Sequence, residues 1–120
     1  MEISVEYNSD FRYDLKEGKL KGETKFHEML SNSKIEVKFD RMTRKTGNVY
    51  IEFESRGKPS GIRTTQADYW VYYIQDEECF VISTKRLIYK IVKLNPRRVR
   101  GGDNNTSVGF LIKLTDLIGV

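Results

Sequence analysis

The sequence is poor in the residues that build disulfides and soft-metal centres, because its 120 residues include one cysteine, Cys79, and one histidine, His27. A single cysteine excludes an internal disulfide and a thiolate zinc site, so a cytoplasmic location is the simpler expectation. A single histidine excludes histidine-rich metal centres and, with them, most serine or cysteine catalytic triads. Metal chemistry in this chain is therefore expected to use oxygen ligands.

Long apolar runs are also missing. No stretch approaches the length of a membrane span and no signal peptide is recognised at the start, so we expect no membrane partner. Charged residues make up 32% of the chain and aromatic residues 12%, which is typical of a folded protein. The length predicts a single domain over residues 1–120, with enough chain to bury a real core.

Residues 34–54 alternate apolar and polar side chains in two runs, which predicts two strands joined as an antiparallel hairpin with Gly47 in the turn. Since strand side chains switch faces at every step, the polar face is predicted to hold Asp40, Glu52 and Glu54 together. Carboxylates that lie this close together repel one another unless a proton or a divalent cation lies between them. Oxygen ligands favour a hard ion, Mg²⁺ or Mn²⁺, and the alternative is a solvated polar face.

An aspartate that ends one strand, followed after eleven residues by Glu52-Phe53-Glu54 in a hydrophobic strand, resembles the PD-(D/E)XK nuclease superfamily. The string from Gly47 to Trp70 is similar to a small phage-encoded branch of endonucleases that resemble Holliday-junction resolvases. The resemblance implies that Asp40 and Glu52 bind the metal, with the carbonyl of Phe53 as a further ligand. Glu54 stands where the superfamily has a lysine. Either Lys38, on the same strand face as Asp40, supplies the ammonium, or Glu54 supports the metal.

The remaining elements are predicted from periodicity. They are a short strand over residues 3–7, a helix over 15–30, strands over 69–74 and 79–83, a helix over 85–93 and a last strand over 109–114. This order predicts an α/β (α+β) domain with a central mixed sheet flanked by helices. The resemblance implies a restriction-endonuclease-like core. It also implies that Glu23, on the first helix, completes the acidic cluster.

Basic residues cluster in two places, although the net charge of +4 is modest. A loop follows the candidate ligands, and no acidic residue occurs between Cys79 and Gly102. Such surfaces suit a nucleic-acid backbone, with a solvated basic face as the alternative. The candidate DNA-binding residues are Arg56, Lys58, Ser60, Arg63, Lys85, Arg86, Lys90, Arg97, Arg98 and Arg100.

These features predict a metal-dependent endonuclease that hydrolyses phosphodiester bonds in DNA, and the resemblance adds a structure-selective or nicking role. Catalysis is assigned to Asp40, Glu52, Glu54, Lys38 and Glu23, with Mg²⁺ or Mn²⁺ as cofactor. A homodimer stays open. The alternative function is a catalytically silent nucleic-acid-binding or protein-interaction module with the same fold, and a third is an accessory protein whose acidic face is merely solvated.

Overall fold

The computed structural model describes residues 9–119, with side chains described from residue 18 onward. The chain divides into two compact units, residues 1–33 and residues 34–120. The described part of the first unit is helix α1 (Ser9–Asn32), which is longer at both ends than the helix predicted over residues 15–30. The strand predicted over residues 3–7 lies outside the described residues. Within the described residues, none of the helices combines the length and apolar character needed to cross a membrane.

Over its described residues, 34–119, the second unit contains seven strands and three α-helices. In chain order they are β1 (Ile35–Phe39), α2 (Met42–Thr46), β2 (Asn48–Ser55), β3 (Lys58–Pro59), β4 (Tyr69–Gln75), β5 (Glu78–Ser83), α3 (Thr84–Leu94), β6 (Arg97–Gly101), β7 (Ser107–Lys113) and α4 (Leu114–Ile118). Short 3₁₀ turns lie at Gly61–Arg63 and Asp103–Asn105.

The predicted α/β class with a mixed sheet is confirmed, and the strands are divided between two sheets. One sheet has the order β1-β4-β5, with β1 parallel to β4 and β4 antiparallel to β5. The other has the order β3-β2-β7-β6 and is antiparallel throughout. The strands predicted over residues 69–74 and 79–83, the helix over 85–93 and the last strand are each found within one or two residues of their expected ends.

The hairpin predicted over residues 34–54 is wrong, although both of its strands form. Strand β1 pairs in parallel with β4, whereas β2 pairs with β3 and β7 in the other sheet. Their connection is not a tight turn but helix α2, which ends at Gly47 with φ 74°. The Asp40 carboxylate accepts the backbone N–H groups of Met42 and Thr43, which are free at the start of this helix. That capping favours a helical turn over a hairpin.

The core of the second unit is built from side chains of both sheets and the helices that follow them. Its buried apolar members are Val49, Ile51, Ile62, Trp70, Tyr72, Ile82, Leu87, Ile112 and Leu117. By register, Glu36 and Lys38 share a face of their sheet with Trp70 and Tyr72. The apolar face of β1 is the opposite one, where Val37 is 60% exposed. The charged face of β1 therefore turns toward the site described next.

Candidate metal and nucleic-acid site

A cleft of about 710 Å³ opens beside the end of β1, lined also by residues of β2, β4, β6 and β7. Three of the predicted catalytic residues line it, Lys38, Asp40 and Glu52, and so does Arg100, one of the predicted DNA-binding residues. A second cleft of about 350 Å³ adjoins it, because Lys38 and Glu52 line both. Glu36 and Gly61 line the second cleft. The sequence-based grouping of Asp40 with Glu52 and Lys38 is thus reproduced by residues from two sheets.

Asp40 is held by backbone groups from three elements. Its Oδ1 accepts the N–H groups of Met42 and Thr43 at 3.1 and 3.2 Å, and its Oδ2 accepts the N–H of Tyr50 at 3.0 Å. Its own N–H donates to the carbonyl of Tyr73 at 2.8 Å. A carboxylate offers about four lone-pair directions, so three backbone bonds leave roughly one for a cation or water. Asp40 therefore fixes the junction of β1, α2 and β2 as well as facing the cleft.

Glu52 is oriented by the loop that follows its strand. It lies two residues after Tyr50 on the same face of β2, about 7 Å further along the strand. Ser60 Oγ donates to Glu52 Oε2 at 2.9 Å, and the side chain is partly buried. This hydrogen bond holds one carboxylate oxygen against the loop. It therefore restricts the rotamers of the Glu52 side chain.

Glu54 lies on the opposite face of β2 from Glu52. Along β7, Gly109 pairs with Glu52 and the adjacent Val108 pairs with Glu54, so Phe53 is the extra residue of a β-bulge. Paired residues point to the same face and neighbouring residues to opposite faces, which turns Glu54 away from Glu52. Glu54 lines neither of the two clefts. The predicted meeting of three carboxylates on one face does not hold for Glu54.

Glu23 is on α1, in the first unit. Its side chain is exposed, and Lys19 Nζ lies 3.8 Å from its Oε1. Its place in the acidic cluster stays a prediction. Across the residues whose side chains are described, no group of three or more Asp, Glu, His and Cys side chains is arranged to hold a metal ion. The carboxylates that line the larger cleft are Asp40 and Glu52, and Glu36 lines the adjoining cleft with Glu52.

Lys38 is paired with one carboxylate and lies over one aromatic ring. Its Nζ is 3.1 Å from Glu36 Oε1 and 5.8 Å from the centroid of the Trp70 ring. Burial raises the pKa of the nearby Tyr72 phenol, and the negative charges of Asp40 and Glu36 raise it further. The phenol is therefore protonated at neutral pH. Glu36 was not among the predicted site residues, although its position two residues before Lys38 on one strand places both side chains on the same face.

Most of the predicted DNA-binding cations are exposed: Arg56, Lys58, Arg63, Lys85, Arg86, Arg97, Arg98 and Arg100. Lys90 is a correction, because it is buried at 6% exposure and its Nζ donates to the carbonyls of Asp116 and Gly119. It holds the end of α4 and is not available to DNA. The Ser60 hydroxyl donates a hydrogen bond to the Glu52 carboxylate. The segment from Arg97 to Gly101 is strand β6, which is not among the predicted elements.

The backbone of Gly61 lies in close contact with the backbone of Glu52. A Cβ at Gly61 would lie 2.1 Å from the Glu52 carbonyl oxygen, and its φ is +54°. We expect Gly61→Ala to lower the free energy of unfolding by about 2 to 4 kcal/mol, because both the contact and the backbone must adjust. Gly57→Ala is the matched control, since its φ is +76° with nothing within 4 Å. It should cost only about 1 kcal/mol of backbone strain. Urea unfolding measures both, and equal losses would contradict the contact.

Comparison with protein-family models, curated protein sequences and solved structures finds no match to this chain.

Proposed function

We propose that the protein is a metal-dependent DNA endonuclease whose reaction takes place in the cleft of Lys38, Asp40 and Glu52. The observation that carries this proposal is that these three side chains, from two different sheets, line one cleft. A carboxylate pair with a nearby ammonium is the donor set that phosphodiester hydrolysis uses. The resemblance of the same residues to the PD-(D/E)XK pattern supports the assignment.

Asp40 and Glu52 fit a magnesium or manganese ion. Mg²⁺ is commonly bound by one or two carboxylates and completes its shell with water and substrate phosphate, so two carboxylates suffice. When bound, such an ion lowers the pKa of a water ligand and polarises a phosphate oxygen. The Phe53 carbonyl suits a ligand role less well, because it accepts the N–H of Ser60 at 3.1 Å. Glu54 does not fit, because it lies on the other face of β2.

The chain's own groups would bind and orient the substrate. The Lys38 ammonium, steadied by Glu36 and the Trp70 ring, would stabilise negative charge that develops on phosphate. The protonated phenol of Tyr72 would add a hydrogen-bond donor at the same wall of the cleft. Exposed cations on the turn after β2 and on β3, including Arg56 and Lys58, would hold the DNA backbone.

A second candidate is a nucleic-acid-binding module without catalysis. The observation that favours it is the set of three backbone bonds to Asp40, which gives this carboxylate a structural role of its own. Glu54, which stands where the superfamily has a lysine, also favours a module without catalysis. This candidate keeps the basic surface and predicts salt-sensitive DNA binding that needs no metal.

The test is cleavage of supercoiled plasmid, linear duplex, single-stranded and four-way-junction DNA with Mg²⁺, with Mn²⁺ and with a chelator. We expect cleavage with either metal and none with the chelator. The DNA substrate that is cut fastest defines the substrate class. Binding without cleavage under all metal conditions would replace the first candidate with the second. Neither binding nor cleavage would contradict both. The mass of the protein in solution tests the homodimer.

A further inference from the structure

The ring of Tyr50 lies against two glycines, Gly109 on the adjacent strand β7 and Gly101 on β6 beyond it. A Cβ at Gly109 would meet its Cε2 and Cζ atoms at 2.5 Å each, and a Cβ at Gly101 would meet Cζ at 2.9 Å. Neither glycine has a positive φ, so space for the ring is the reason for their small size. Glycine inside a strand weakens it, and such glycines often mark a close approach. The close approach here is that of Tyr50.

The ring is also held at its hydroxyl end. Tyr50 Oη is 2.7 Å from Ser107 Oγ, and Ser107 is buried at 2% exposure. The hydroxyl contact with Ser107 and the two glycines against the ring together fix its orientation.

Tyr50 lines the 710 Å³ cleft together with Asp40 and Glu52. The backbone N–H of Tyr50 donates to Asp40, so a group stacked on the ring would lie next to the carboxylates. Leu111, which pairs with Tyr50 across the sheet, adds an apolar side chain to the lining of the cleft. A flat aromatic floor beside basic side chains is the arrangement on which single-stranded nucleic acids stack their bases.

We propose that Tyr50 is a stacking platform for an unpaired nucleobase of the DNA strand bound in this cleft. The inference rests on the proposed function and narrows it. Bases inside a duplex are already stacked on each other, so the platform selects DNA with an unpaired nucleotide, such as a single strand, a flap or a junction. One stacked base corresponds to about a tenfold to a hundredfold gain in affinity.

The experiment uses the full chain in chelator, so that no strand is cut. Binding is measured to a single strand, to the same strand with one abasic site at each position in turn, and to duplex DNA. A strand containing 2-aminopurine reports stacking through fluorescence quenching. Wild type should bind the intact strand about tenfold more tightly than the weakest abasic strand, and should quench 2-aminopurine at the position affected.

Two variants assign the effect to the ring. Tyr50→Phe keeps the ring and should retain both the preference and the quenching. Tyr50→Leu should lose both while duplex binding is unchanged, with circular dichroism confirming that it is folded. Equal binding of all the strands by wild type, or full quenching by Tyr50→Leu, would overturn the platform.

Cleavage separates the two proposals. A wild-type protein that cuts DNA with metal but shows no base preference retains the proposed function and loses the platform. One that shows the preference but never cuts retains the platform and loses the endonuclease.

Discussion

Asp40→Ala is expected to abolish metal-dependent DNA cleavage and to lower the free energy of unfolding by about 3 kcal/mol. The substitution removes a metal ligand and also the acceptor of three backbone N–H groups, those of Met42, Thr43 and Tyr50. An unsatisfied buried donor costs about 1 to 3 kcal/mol, and the exposed ones regain water. Urea unfolding and plasmid nicking measure the two effects separately.

Asp40→Asn separates the charge from the hydrogen bonds. The amide oxygen can still accept from Met42 and Thr43, while the amide NH₂ replaces the acceptor that faces the N–H of Tyr50. We expect a smaller loss of stability, about 1 to 2 kcal/mol, with cleavage as weak as in the alanine variant. Cleavage at the wild-type rate by the asparagine variant would show that the carboxylate charge is not needed and would contradict the assigned role.

Glu52→Gln is expected to weaken Mn²⁺ binding by at least about tenfold while changing the free energy of unfolding by less than about 0.5 kcal/mol. Glutamine has nearly the same shape and still accepts from Ser60 Oγ, so the substitution mainly removes the charge. Isothermal titration calorimetry measures the affinity. Glu54→Gln makes the same chemical change two residues along the strand, on the other face, and should leave the affinity unchanged. Equal weakening in both variants would mean that only the overall charge matters.

The local parts of this fold could be predicted from the sequence. Alternation with a period of two is a property of a strand itself, so β1 and β2 were found without knowledge of their partners. Pairing depends on distant residues, and the predicted hairpin failed for that reason. Its local cause is the Asp40 carboxylate, which the sequence analysis treated as a ligand alone although it also caps α2.

The position of Glu54 depended on strand register. The bulge at Phe53 becomes visible only when β2 is aligned with β7, more than fifty residues further along the chain. Alternation alone therefore placed Glu54 with Glu52. Glu36 could have been found, because it shares a face with Lys38 by the same rule of alternation.

Burial decided which basic residues remain available. The sequence shows that Lys85, Arg86 and Lys90 lie close together, but the side that α3 buries depends on the neighbours it packs against. Lys90 reaches the last carbonyls of α4, a helix that was not predicted. The single domain, the cytoplasmic location, the phage origin and the homodimer stay predictions.

The initial rate of nicking of a supercoiled plasmid in Mg²⁺ by wild type, Glu52→Gln and Glu54→Gln tests whether this cleft is the catalytic site. We expect similar rates for wild type and Glu54→Gln, and a rate at least about 100-fold lower for Glu52→Gln. Similar rates for all three proteins, or a loss confined to Glu54→Gln, would contradict the assignment of this cleft as the catalytic site.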